Sequence, residues 1–201
     1  MIYDFDELNN IRSMPFEKYF GEMPLTDEQK EKRISISEEF YEMMIYFFEL
    51  YDLSDNDTEI ENALFLRFLA IVSGYKALTE YDREYAKTFA SEIVNATKDH
   101  ANDKYFLSYD RARLVAENEA NTLFNRTEHD SAKSEGKTKK QWVDMDDNLV
   151  RPTHKAVGGT VIGIDELFSV GTTQMRYPKD YELASDAPEE LINCRCCIRY
   201  F

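Results

Sequence analysis

Over the first two thirds of the chain, apolar side chains recur at three- and four-residue spacing, the period of helices with one buried face. Thr26 with Gln29 three residues on predicts a capping box. The run behind it puts Ile36, Phe40, Met43, Met44, Phe47, Phe48 and Tyr51 on one broad apolar face, until Asp52 to Asp57 breaks it. Thr58 and Glu61 predict a second box, opening a helix with Ile60, Leu64, Phe65, Phe68, Leu69, Val72 and Tyr75. Apolar residues cover most of its circumference, which predicts the central helix of a bundle. A third helix is expected from Thr79 through Tyr85, Phe89, Ile93 and Val94, ending in the polar stretch 98–104. Residues 26–104 thus predict three antiparallel helices joined by short loops. Ahead of them, Tyr3, Phe5, Phe16, Tyr19 and Phe20, interrupted by Pro15 and Pro24, are expected to fold back on these helices.

Ser108 predicts the start of a long helix through Ala112, Val115, Ala116, Ala120, Leu123 and Phe124, with Gly136 as its C-terminal cap. Beyond residue 139 the segments shorten, Gly and Pro appear, and β-branched residues alternate. Strands are expected at 140–144, 160–164 and 194–200, with a helical turn over 152–157 led by Pro152. The expected fold class is α+β: a helical bundle over 1–105, then, over 106–201, a long helix packed on a small mixed β-sheet.

Composition agrees with a globular chain able to bury a core: 43% hydrophobic, 13% aromatic, over 201 residues. No apolar run approaches the ~20 residues of a membrane helix. The first residues lack the basic and apolar regions of a signal peptide, so a cytoplasmic protein is expected. The net charge of −15 is uneven, with 22 acidic against 10 basic residues in 1–100 and 17 against 14 in 101–201. An acidic front half repels nucleic acid and membrane surfaces and suits basic protein patches, so at most weak nucleic-acid binding is expected.

The specific chemistry lies in the last sixty residues. They hold the only Trp, Trp142, and all three Cys, at 194, 196 and 197. They also hold Asp147, Arg151 and His154, a glycine turn at Gly158-Gly159, Ile164-Asp165 with Phe168, and Pro178 with Asp180. Three cysteines in four positions make a poor disulfide framework and point to buried apolar residues or metal ligands. Taken in order with Arg113, Glu119, Gly136, Lys140 and the closing Asn193-Cys194-Arg195-Cys196, these blocks resemble the phage Mu protein F-like domain. That domain is the C-terminal module of phage head-morphogenesis or minor head proteins. The resemblance covers about residues 108 to 200, with Leu149 and Gly158 departing from the family's usual residues. It implies a low-copy structural protein of the phage head, made in the host cytoplasm. Its implied partners are the portal, scaffold or capsid protein, and its implied role is in head assembly, DNA packaging or ejection.

The residues themselves support a structural cluster of Trp142, Asp147, Arg151, His154, Cys194 and Cys196. On an extended segment Cys194 and Cys196 face one side and Cys197 the other. Pro152 opens a turn presenting Arg151 and His154 on one face, against which the C-terminal segment would dock. We expect His154, Arg151 and an Asp to form a buried hydrogen-bonded network beside two reduced cysteines, without a cofactor. Zinc on His154, Cys194 and Cys196 is the alternative, three ligands where a structural site normally has four. A nuclease-like or toxin-like enzyme is the other class, with Asp146, Asp147, Arg151 and His154 as base, phosphate clamp and acid. His100 and His129, in polar helical contexts, are expected to be solvated.

Overall fold

The computed structural model describes residues 16–201. The expected fold-back of Tyr3 and Phe5 lies outside the described residues. Eight α-helices, labelled α1 to α8, and five strands, β1 to β5, occur among the described residues. They form two compact units. One holds Phe16 and residues 35–117; the other holds 17–34 and 118–201.

The first unit contains most of α2 (Asp27–Leu53), then α3 (Asp57–Tyr75), α4 (Glu80–Asp99), a 3-10 turn (Lys104–Leu107) and the start of α5 (Tyr109–Ser134). The sequence boundary at 105/106 falls within that 3-10 turn. Phe68 of α3 lies at the centre of the aromatic packing, with ring centroids 5.1 Å from Phe40 of α2 and 4.9 Å from Phe89 of α4. Helix α2 supplies many of the largest buried side chains: Ile36, Phe40, Met44, Phe47 and Phe48 are fully enclosed. Phe68 does place α3 between α2 and α4, but Leu66, 64% exposed, corrects the expected apolar cover over most of its circumference: α3 buries one face only.

The helix starts follow from side chains that accept orphan backbone N–H groups. Thr79 and Asp82 form a reciprocal box at α4, and Lys76 Nζ holds the same Asp82 carboxylate at 2.8 Å. At α3 the cap is Asn56, which accepts from the Glu59 backbone, so the box expected from Thr58 does not form.

In the second unit, α1 (Phe16–Gly21) precedes the first turns of α2, opened by the expected Thr26–Gln29 box. Helix α5 continues to a C-terminal cap at Gly136, φ +76°. There the Gly136 and Lys137 N–H groups donate to the Lys133 and Ala132 carbonyls, a Schellman arrangement. Then come β1 (Lys139–Val143), α6 (Pro152–Val157), β2 (Val161–Gly163), β3 (Phe168–Val170), β4 (Thr173–Met175), α7 (Tyr181–Ala184), α8 (Pro188–Leu191) and β5 (Cys197–Tyr200).

The α+β class holds, but the mixed sheet does not. Strand β1 lies between β2 and β5, antiparallel to both, and β3–β4 is a separate antiparallel hairpin. The hairpin was not expected from the sequence. Val170 pairs with Thr173, leaving a two-residue turn whose first residue, Gly171, has φ +59°.

Alternation along β1 turns Lys140 and Trp142 inward. Trp142 is completely buried, as expected, opposite Ile198 of β5 and 5.2 Å from Phe168 in an edge-to-face contact. Val170, Met175, Tyr177, Leu191, Cys194 and Cys196 complete this core. Trp142→Ala should cost about 3–5 kcal/mol, the range for buried aromatics. Chemical denaturation of the variant beside wild type measures it, and equal midpoints would refute the core assignment.

Candidate functional site

The polar interior of the second unit is built on one stripe of α5. Asn118, Asn121 and Asn125 recur at three- and four-residue spacing, so they share a helix face. Asn121 Nδ2 donates to the Cys194 carbonyl at 3.0 Å. Asn125 Nδ2 donates to the carbonyls of Pro178 at 3.1 Å and Cys196 at 3.3 Å. Asn118 Oδ1 accepts from the Asn193 N–H at 3.1 Å and from Lys179 Nζ. The carbonyls of Cys194 and Cys196 therefore go to a helix. That is why paired strand begins only at Cys197, three residues later than expected.

Behind this stripe lies Arg33, fully buried. Its guanidinium donates to Asn121 Oδ1 and Asn125 Oδ1 and makes a two-pronged pair with Glu128 at 2.7 and 3.0 Å. The amide groups are thus fixed with their N–H atoms toward the C-terminal segment.

Pro152 occupies the first turn of α6, where its missing N–H costs nothing, and sets His154 one turn inside. The imidazole is 1% exposed and lies edge-to-face with Trp142 at 5.5 Å. Its Nδ1 is 3.4 Å from the sulfurs of both Cys194 and Cys196. On the opposite ring edge, Nε2 lies 3.1 Å from Glu190 Oε2, which also accepts from Thr153 Oγ1 at 2.7 Å. The Nε2–Glu190 approach is a close charge contact without the alignment of a hydrogen bond. Gly171 packs against the same carboxylate: a Cβ there would come within 2.5 Å of Glu190 Oε1.

Burial alone would push the His154 imidazole down and the Cys194 thiol up. Both move the other way. The hydrogen bond and charge of Cys194 hold His154 above its ordinary value, and hydrogen bonds with Cys196 and His154 hold Cys194 well below its own. Cys196, hydrogen-bonded to the Cys194 sulfur and buried, is pushed far up. The buried Cys194 sulfur and the His154 ring thus each favour the charged form of the other. Lys179, φ +64°, is also enclosed; burial pushes its amine down to about 8 while Cys194 pulls it up.

Of the sequence-derived cluster, His154, Cys194 and Cys196 meet in the interior, with Trp142 against the imidazole. Arg151 does not join an Asp; its guanidinium caps the Ile192 carbonyl. Asp147 pairs with Arg195 at 2.5 Å and accepts from the Leu149 N–H. The carboxylate facing His154 is Glu190, so the expected His–Arg–Asp network is replaced by His154, Glu190 and Thr153. In the proposed acid–base set, Asp147, Arg151 and His154 each engage a different partner, although Arg151 and His154 border one small cavity. Glu190, Lys179, Arg33 and the three asparagines were missed. Only the asparagines carried a signal, their common helix face.

His129 corrects another expectation. It is 3% exposed, its ring 5.1 Å from Tyr177 and 6.0 Å from Tyr200. His100 is exposed, stacked on Phe106.

Residues 70–199 match the family described as Phage Mu protein F like protein. The chain belongs to that family. It is a protein of phage head-morphogenesis type, and among the described residues no helix is long and apolar enough to cross a membrane. Over 134 residues it is also 28% identical to the NAD(+)–arginine ADP-ribosyltransferase EFV of Enterococcus faecalis, a match covering 60% of this chain. The match spans 27% of that relative's length. No solved structure matches significantly.

His129 gives this Mu F-like protein a pH dependence with a defined sign. Burial, with Lys140 and Lys133 nearby, pushes its imidazole down to about 4. As pH falls from the unfolded value of about 6.5 toward 4, the unfolded chain takes a proton that the folded chain refuses. Stability should fall across that window by about 2–3 kcal/mol and gain nothing from this group above it. Unfolding free energies from pH 4 to 7 measure the slope, and His129→Gln should flatten it.

Proposed function

We propose that this chain is a minor head protein, a low-copy structural component of the phage virion. It associates with the portal or scaffold and acts in head assembly, DNA packaging or ejection. The family match over most of the chain carries this reading. The polar interior is consistent with it: the carboxylates, amides and cations around His154 hold the C-terminal segment to α5 and α6 rather than lining an open cleft. The acidic residues concentrated in the first half suit a basic surface on a protein partner and disfavour a phosphate backbone.

The likeness to an ADP-ribosyltransferase favours a second reading, a toxin-like enzyme on the same module. Against it stand the small share of that protein covered and the engagement of Asp147 and Arg151 by Arg195 and the Ile192 carbonyl. Incubating the purified chain with NAD(+) and arginine-rich protein separates the two. The structural reading expects no nicotinamide release, and sustained release would replace it with the enzyme.

The head-protein reading predicts the chain in purified heads at a few copies per portal ring, with heads from a deletion phage defective in DNA content or delivery. Quantitative mass spectrometry of heads tests this, and absence from heads at every stage would refute it. The isolated chain should bind duplex DNA only weakly at physiological salt. Tight binding that weakens steeply as salt rises would overturn the assignment of the acidic half to a protein partner.

A further inference from the structure

We propose that His154, Cys194 and Cys196 form a zinc site, with a water in the fourth position and Glu190 orienting the imidazole from behind. The geometry is already close to the one zinc requires. With Zn–N of about 2.0–2.1 Å and Zn–S of about 2.3 Å at tetrahedral angles, the N···S edges are about 3.5–3.6 Å. Both N···S distances here are 3.4 Å, and the three donor atoms lie within 4.8 Å of one another. Seating the ion asks the two N···S edges to open by only about 0.1–0.2 Å.

The surroundings have the form of a ligand's supporting shell. A metal-bound histidine usually presents its second ring nitrogen to a carboxylate, which is itself hydrogen-bonded. Here Nδ1 faces the sulfurs and Nε2 faces Glu190, whose Oε2 is fixed by Thr153. Glu190 lies across the ring from the sulfurs, so it holds the histidine and does not bind the ion. The buried Trp142 indole N–H has no well-aligned acceptor, and the group it reaches is the Cys196 sulfur. An N–H beside sulfur favours a thiolate ligand over a thiol.

Charge and space also fit. Zinc would bind two thiolates and a neutral His154, releasing whatever protons those groups carry. Lys179 and Glu190 then cancel each other nearby. A cavity of about 20 Å³ bordered by Met145, Leu149, Arg151, Asn193 and Arg195 adjoins the three ligands and is large enough for one water. Two thiolates and an imidazole are a donor set suited to zinc. Cys197 is excluded: its sulfur faces the other way, 4.0 Å from the Pro24 carbonyl.

The test uses the full reduced chain. Elemental analysis of protein purified from zinc-containing medium should give one zinc per chain. Cobalt(II) should produce a thiolate-to-metal charge-transfer band and the strong visible bands of four-coordinate cobalt. Cys196→Ser and His154→Ala should lose these bands, whereas Cys197→Ser should keep them. Glu190→Gln should keep the spectrum with affinity about 10–100-fold weaker. Because the ligand variants could fail to fold, wild type carries its own readout: zinc should raise its Tm and a chelator should lower it. Folded, reduced wild type that takes up neither zinc nor cobalt stoichiometrically would overturn the site. So would a Cys196→Ser variant that binds as wild type does.

Discussion

The segment from Asn193 to Cys196 enters the interior with no strand to pair with, and its backbone carbonyls must find donors there. Helix α5 supplies them through Asn121 and Asn125, and Arg33 in turn holds the oxygens of those amides. Each group in the series is satisfied by the next, from the half-buried Glu128 through the buried Arg33 and asparagines to the carbonyls of Cys194 and Cys196. The two thiols reach His154 because their backbone is fixed from the opposite side.

Such a series fails unevenly. Removing one amide while leaving the guanidinium in place strands both a buried carbonyl and a buried N–H, each costing more than the bond contributed. The interior is therefore specified by polar pairing as much as by the apolar packing around Trp142. A small sheet of three strands and a hairpin has little core of its own, and the buried hydrogen bonds make up part of the difference.

Much of the fold was legible because it rests on local rules. Thr26, Thr79 and Gly136 mark helix ends through contacts within four residues, and Pro152 marks the start of α6 in the same way. Trp142 could be placed inside because it is the largest apolar group in a region with few others. What was illegible depends on partners far away in sequence. Arg33, Lys140, Lys179 and His129 look solvated among charged neighbours, yet each is buried. Arg33 is 95 residues from Glu128, and Glu190 is 37 from Thr153. The antiparallel course of β5 likewise depends on where the chain re-enters the sheet, which no local pattern records. His154, Cys194 and Cys196 were found together because few other residues could tie down the C-terminal segment. Their carboxylate was misassigned because Asp147 is nearer in sequence than Glu190.

The turn at Gly171 joins a surface hairpin to this interior. Its backbone stands against the Glu190 carboxylate with no room for a side chain, and φ +59° is strained for any residue but glycine. A mutational scan would therefore find intolerance at a turn that carries no functional group. Substitutions at 171 would act on the imidazole through the displaced carboxylate, so their damage would resemble that of changes to Glu190 more than that of a loosened hairpin.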